Sequence, residues 1–183
     1  MNAKVGLGML YASDREPVYK FEDADTRRSD FNCLPLEARD EAGSKDVVKV
    51  AIITGESPHE TLLSTNRFCV EPYTRGMKMR GASEQDMLDK FENFLSDNAL
   101  DEYRDAKDRH TTSGEDPVEG TWHNTIIDWL ANMCRNDAIR DTFLSDLESG
   151  TKYYKRANMT TSAYVTLFKV GMRLCHDQAG KQD

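Results

Sequence analysis

The chain of 183 residues carries 24 lysine and arginine residues against 32 aspartate and glutamate residues, so its net charge is −8 and its calculated pI is about 5.1. This charge excludes a general attraction of the whole molecule to nucleic acid or anionic lipid, and any such binding must be local. A chain of this length can bury a hydrophobic core without disulfides or metal ions, and we expect one cooperative unit.

The four cysteines lie far apart and form no CxxC pair, which argues against a zinc module and a thioredoxin-like motif. They are Cys33, Cys69, Cys134 and Cys175. The apolar run at residues 5–11 is too short and too broken by glycine for a secretory signal or a membrane span. We therefore expect a cytoplasmic protein, or a virion component if the source is viral, with no membrane partner.

The first 82 residues show short apolar runs with interrupted, strand-like alternation. Residues 22–44 carry many charges and no sustained apolar period, which predicts a long connection or an extended arm. The other runs predict strands at residues 5–11, 17–21, 47–53 and 67–73. The run at residues 47–53 is β-branched and almost continuously apolar, so a strand covered on both faces is expected there.

The segment at residues 50–55 reads V-A-I-I-T-G and resembles the opening of a short-chain dehydrogenase. In that family the strand leads into a glycine-rich turn that binds a dinucleotide. Here the turn at residues 55–59 has no second or third glycine, and Glu56 would repel a pyrophosphate. We therefore predict an ordinary turn and no dinucleotide cofactor.

From residue 83 onwards the apolar spacing becomes helical. Ser83 can cap a helix that carries acids in its first turn, and a further helix is predicted at residues 138–149. The strongest pattern occupies residues 121–135, where both tryptophans fall on one stripe, which comprises Trp122, Ile126, Trp129, Leu130 and Met133. A last helix from about residue 161 is expected to bury a stripe of Tyr164, Leu167, Phe168, Met172 and Cys175.

These patterns predict an α+β fold in which an irregular, β-containing N-terminal half is followed by a C-terminal bundle of about four helices. The predicted division places a β-containing region with an extended arm at residues 1–82 and the helical bundle at residues 83–183.

Acidic residues concentrate between positions 84 and 119, where twelve acids and four bases give a local charge of −8. A solvated helix face explains this acidity most simply. Alternatively, an acidic inhibitor or nucleic-acid mimic would present such a surface to a basic partner. The residues predicted for that docking are Asp101, Glu102, Asp105 and Asp108.

Two local basic segments suit phosphate contacts. Residues 74–81 contain three cations and two glycines and predict a loop or hinge, and a second segment interleaves cations with tyrosines. Cations beside rings that can stack on bases are what single-stranded nucleic acid requires, although solvated basic turns have the same composition. The predicted nucleic-acid-binding residues are Arg75, Lys78, Arg80, Lys152, Tyr153, Tyr154, Lys155 and Arg156.

The sequence contains no HExxH, GxSxG or P-loop motif, and its four histidines are dispersed. We predict no catalytic residue, no cofactor and no metal site. The leading hypothesis is a non-enzymatic interaction or assembly protein whose partner is itself or another protein, for example a structural subunit of a larger homomeric viral or phage assembly. The alternatives are a single-stranded nucleic-acid-binding protein and the acidic inhibitor.

Overall fold

The computed structural model describes residues 26–39, 45–133, 144–145, 148–149 and 160–176. The predicted strands at residues 5–11 and 17–21 and the basic segment at residues 152–156 lie outside the described residues, as does most of the predicted helix at residues 138–149. The predicted fold class is confirmed, because a small antiparallel sheet in the N-terminal half is followed by helices.

The sheet consists of β1 (Cys33–Arg39) and β2 (Lys45–Ala51), paired so that Cys33 lies opposite Ala51. Residues 22–44 are therefore not one long connection, since they contain β1 and a 3₁₀ turn at Arg28–Asp30. The strand predicted at residues 47–53 is confirmed for most of its length. Its burial is only partial, because helices cover one face of this sheet and Val47 remains 57% exposed.

One helical rod follows the sheet and comprises α1 (Leu62–Thr65), a π-helical segment (Asn66–Val70) and α2 (Glu71–Met79). The predictions of a strand at residues 67–73 and of a loop at residues 74–81 are wrong. Val70, Tyr73 and Met77 are all buried, and their spacing of three and four is helical. In the sequence Pro72 indicates the end of a strand, because proline lacks the N–H group that a strand or helix needs. In the structure the wider π turn before Pro72 accommodates this missing donor within the helix.

Four helices follow within the described residues: α3 (Glu84–Phe91), α4 (Asp97–His110), α5 (Thr121–Met133) and α6 (Thr161–His176). Ser83 caps α3 as predicted, because its hydroxyl accepts the Asp86 N–H at 3.1 Å. The predicted stripe of α5 is confirmed, since all five of its residues are buried. α5 packs against both α4 and α6 and is the central helix of this bundle.

An aromatic cluster joins the rod to the bundle. Tyr73 of α2 contacts Phe91 and Trp122 at ring-centroid distances of 4.9 and 5.3 Å, and Phe91 contacts Tyr103 and Trp129 edge to face. Each such pair adds roughly 0.5–1.5 kcal/mol beyond area burial. The hydrophobic core therefore takes residues from both sides of the predicted boundary at residue 82, whereas the division into two regions stays a prediction.

The buried stripe of α6 differs from the predicted one. Its buried apolar residues are Ala163, Leu167, Val170 and Leu174, whereas Phe168 is 38% exposed. Both stripes have helical spacing and share Leu167, so the sequence pattern did not distinguish them. The stripe with Ala163 and Val170 faces inward in the structure, where α6 contacts α5.

Gly55 provides the first testable prediction, because it lies in the turn after β2 in a left-handed conformation (φ 85°) against α4. A Cβ added at Gly55 would lie 2.9 Å from Met133 Cε and 3.0 Å from the backbone nitrogen of Ala99. Gly55→Ala should lower the free energy of unfolding by about 2–5 kcal/mol, from backbone strain and overpacking together. Urea denaturation measures the loss.

Gly114→Ala is the matched control for this substitution. Gly114 has the same φ of 85°, but a Cβ there would meet nothing within 4 Å. It should therefore show the strain alone, about 1–2 kcal/mol. Equal losses at the two positions would contradict a packing role for Gly55.

Candidate interaction surfaces

Two of the described histidines, His110 and His123, occupy structural positions. His110 Nε2 lies 3.2 Å from a carboxylate oxygen of buried Asp128, which also accepts the Arg109 guanidinium at 2.8 Å. This cluster links the C-terminus of α4 to α5. His123 Nε2 lies 3.3 Å from Lys169 Nζ, and burial followed by the charges of Lys169 and Lys78 lowers the pKa of His123. Neutral His123 therefore accepts the lysine hydrogen bond between α5 and α6.

The described parts of the chain contain no group of three or more histidine, cysteine, aspartate or glutamate side chains that could hold a metal ion. Within the same residues, no helix combines the length and apolar character needed to cross a membrane. Cys33 and Cys69 are free thiols, and Cys69 is buried.

The exposed residues Arg75, Lys78 and Arg80 form what we call the cationic face. Arg75 and Lys78 project from α2, and Arg80 caps the C-terminus of that helix. The structure thus places Arg75 and Lys78 on one side of a helix rather than on a loop, with Arg80 at the end of that helix. Among the described residues, none of the three has a salt-bridge partner.

Two further arginines lie beside Arg75 and were not predicted from the sequence. Arg67, in the π segment, and Arg28, in the 3₁₀ turn, line a cavity of about 340 Å³ together with Arg75. The helical spacing from Arg67 to Arg75 would have indicated their proximity if residues 67–79 had been interpreted as a helix. Arg28 gave no such signal, because only the tertiary fold brings it to α2.

The exposed residues Asp101, Asp105 and Asp108 form what we call the acidic face, and their spacing of four and three places them on one stripe of α4. Glu102, also predicted for docking, is half-buried beside them. Within the described part of the chain, none of these carboxylates has a salt-bridge partner. The basic residues of α4 are paired instead, for example Lys107 with Asp89 at 2.8 Å.

Pairing of the other cations follows from the contact between α3 and α4. Lys107 also lies 3.1 Å from Glu92, and Arg104 lies 3.2 Å from the same carboxylate. Hydrogen bonds from Lys107 lower the pKa of Asp89, and the two carboxylates in turn raise the pKa of Lys107 against its partial burial. The cations of α4 therefore pair within the bundle, and within the described residues the acidic face has no salt-bridge partner.

A groove of about 620 Å³ runs beside the cationic face between α2, α3, α5 and α6. Its floor contains Trp122, whose indole N–H donates to Thr74 Oγ1 at 3.2 Å. Glu84 of α3 accepts the backbone N–H groups of Trp122 at 2.6 Å and of Gly120 at 3.3 Å, so it caps the start of α5. Arg75 and Lys78 line the rim of the groove.

Comparison of the chain with protein-family models, curated proteins and solved structures finds no match.

Proposed function

We propose that this protein is a non-enzymatic subunit that assembles with copies of itself. One observation carries the proposal: the cationic face and the acidic face lie on different helices, and neither face has counterions among the described residues. Complementary charged surfaces of this kind steer association and fix its orientation.

The absence of internal pairing matters because ion pairs form readily elsewhere in this fold. Lys90, Arg104 and Lys107 each lie within 3.3 Å of a carboxylate oxygen. Asp101 and Asp105 are exposed on α4, yet no cation of the described residues forms a salt bridge with them. A second copy of the chain supplies the missing counterions when its cationic face meets this acidic face.

Such an interface joins two different patches and is therefore heterologous. After one such contact the pair of subunits retains one free patch of each kind, and repetition generates a closed ring or an open filament. This geometry supports a structural subunit of a larger homomeric assembly, of the kind found in viral or phage particles.

Charge reversal tests the proposal. Lys78→Glu with Arg80→Glu makes both faces acidic, and Asp101→Lys with Asp105→Lys makes both faces basic. Each double variant alone should associate more than about tenfold more weakly than the native chain, because like charges then meet. Light scattering after size-exclusion chromatography, at low and at high salt, measures the effect.

A mixture of the two double variants provides the matched control. Each variant presents the face that the other lacks, so mixing should restore the assembly, and circular dichroism should show that both variants fold. A native chain that stays monomeric at high concentration and low salt, or a mixture that stays dissociated, would overturn the proposal.

The same measurements separate self-assembly from the acidic inhibitor. An inhibitor that docks on a basic partner needs Asp101, Glu102, Asp105 and Asp108 but not the cationic face. Lys78→Glu with Arg80→Glu would then leave its partner binding unchanged. That result, together with a monomeric native chain, would favour the inhibitor.

A further inference from the structure

We infer that Arg28, Arg67 and Arg75 form a binding site for a phosphate group. The three arginines line one cavity of about 340 Å³, which they share with Glu71 and Thr160. Guanidinium groups bind phosphate oxygens through paired N–H donors, so convergence of three of them provides both charge and geometry for this ligand.

Glu71 offsets only one of the three positive charges and forms no salt bridge with the arginines. It lies four residues from both Arg67 and Arg75, a spacing at which helical ion pairs commonly form. Instead, its carboxylate accepts the hydroxyl of Thr160, which also accepts the Ala163 N–H at 3.1 Å. Glu71 is thus held at the start of α6. Among the described residues, the three guanidinium groups have no salt-bridge partner.

The π-helical segment sets the position of Arg67. Within it Phe68, Cys69 and Val70 are consecutive buried residues, which leaves Arg67 exposed at the cavity. The Arg67 guanidinium lies 5.1 Å from the centroid of the Phe68 ring, a cation–π contact that favours one orientation of a long side chain. Segments of this kind often occur at functional sites.

The site suits a phosphate rather than a base. Phe68 is only 6% exposed and packs against Phe31 at a centroid distance of 5.7 Å, so its ring is not open for stacking on a nucleobase. Recognition then depends on phosphate charge and shape alone. A free polyphosphate and the backbone of a single-stranded nucleic acid share this chemistry.

Titration calorimetry of the full chain with inorganic pyrophosphate tests the site. Arg28→Ala and Arg67→Ala should each weaken binding about tenfold or more, because each removes charged hydrogen bonds to the anion. Arg104→Ala, which removes an exposed arginine paired with Glu92, should leave the affinity unchanged. Absence of pyrophosphate binding, or equal losses in all three variants, would overturn the inference.

A competing single-stranded oligonucleotide distinguishes the sources of the phosphate. Displacement of pyrophosphate by the oligonucleotide would support a site that also accepts nucleic-acid phosphates, whereas retention of pyrophosphate would support a site for free polyphosphate. Oligonucleotide binding that is unaffected by Arg28→Ala, without pyrophosphate binding, would remove the site.

The test is independent of the proposed self-assembly. Asp101→Lys with Asp105→Lys removes the acidic face and keeps all three cavity arginines. Because Arg75 belongs to both the cationic face and the cavity, self-assembly could cover the cavity in the native chain. Pyrophosphate should bind this non-assembling variant if the site exists, whether or not the native chain assembles.

Discussion

Trp129→Ala is expected to lower the free energy of unfolding by about 3–5 kcal/mol, which is a large part of the roughly 5–15 kcal/mol that stabilises an ordinary domain. Trp129 is fully buried, and its indole N–H donates to the Ala99 carbonyl at 3.0 Å. Its ring also meets Phe91 and Tyr103 edge to face. Alanine would leave a cavity at the contact between α4 and α5 and would remove the indole hydrogen bond to the Ala99 carbonyl.

Thermal and urea unfolding, followed by circular dichroism, measure this loss. Trp129→Phe should have an intermediate effect, because it keeps a ring in the core but loses the indole hydrogen bond to the Ala99 carbonyl. Val118→Ala is the surface control, since Val118 is 75% exposed, and it should change stability by less than about 0.5 kcal/mol. A Trp129→Ala variant with the native unfolding midpoint would show that α5 is not the centre of the core.

The second large loss of stability is expected from substitution of Glu60. This residue is 2% exposed, and its carboxylate holds the turn between β2 and α1. It accepts the Thr54 N–H at 2.8 Å, the Thr54 hydroxyl at 2.9 Å and the Gly55 N–H at 2.6 Å. Glu60→Ala would leave these donors unpaired, at about 1–3 kcal/mol for each one that stays buried. We therefore expect a loss of at least about 2 kcal/mol at low pH, where Glu60 carries no charge.

The pH dependence follows from the direction of the pKa shift. Burial raises the pKa of Glu60 above its ordinary value of 4.5, although the hydrogen bonds from Thr54 and Gly55 oppose the shift. An acid with a raised pKa in the folded state stabilises the fold below its unfolded-state pKa. This contribution is lost as the pH rises through the folded-state pKa.

Glu60→Gln isolates this contribution, because the variant keeps the side-chain size and lacks the titrating group. The free energy of unfolding of the native chain should therefore fall relative to that of Glu60→Gln as the pH rises from 4.5 towards neutrality. Urea denaturation at several pH values measures it. A difference that stays constant over this range would contradict the raised pKa.

Helix periodicity explains which parts of the fold could be predicted from the sequence. In α5 the residues between Trp122 and Met133 are large and regularly spaced, so a single helical stripe accounts for them. The N-cap at Ser83 depends on residues only three positions apart. Both features are local, and local features are the part of a structure that a sequence pattern can show.

The rod from α1 to α2 shows why the rest could not be predicted. Residues 67–73 contain aromatic and β-branched residues and a proline, which favour a strand locally. Burial of Tyr73 against Phe91 and Trp122 overrides that preference, and those contacts are distant in sequence. Burial of Ala163 and Val170 in α6 likewise depends on the neighbouring helix rather than on hydrophobicity alone.

The sequence by itself determined the fold class, the central helix and the local acidity of residues 84–119, because these depend on composition and spacing. It also determined that Arg75, Lys78 and Arg80 are clustered. Only the tertiary structure decided that these cations project from a helix and that Arg28 and Arg67 share a cavity with Arg75. The tertiary structure alone also decided which of the described charges remain unpaired. Ion pairing depends on distances between side chains, and packing brings those side chains together from remote positions in the sequence.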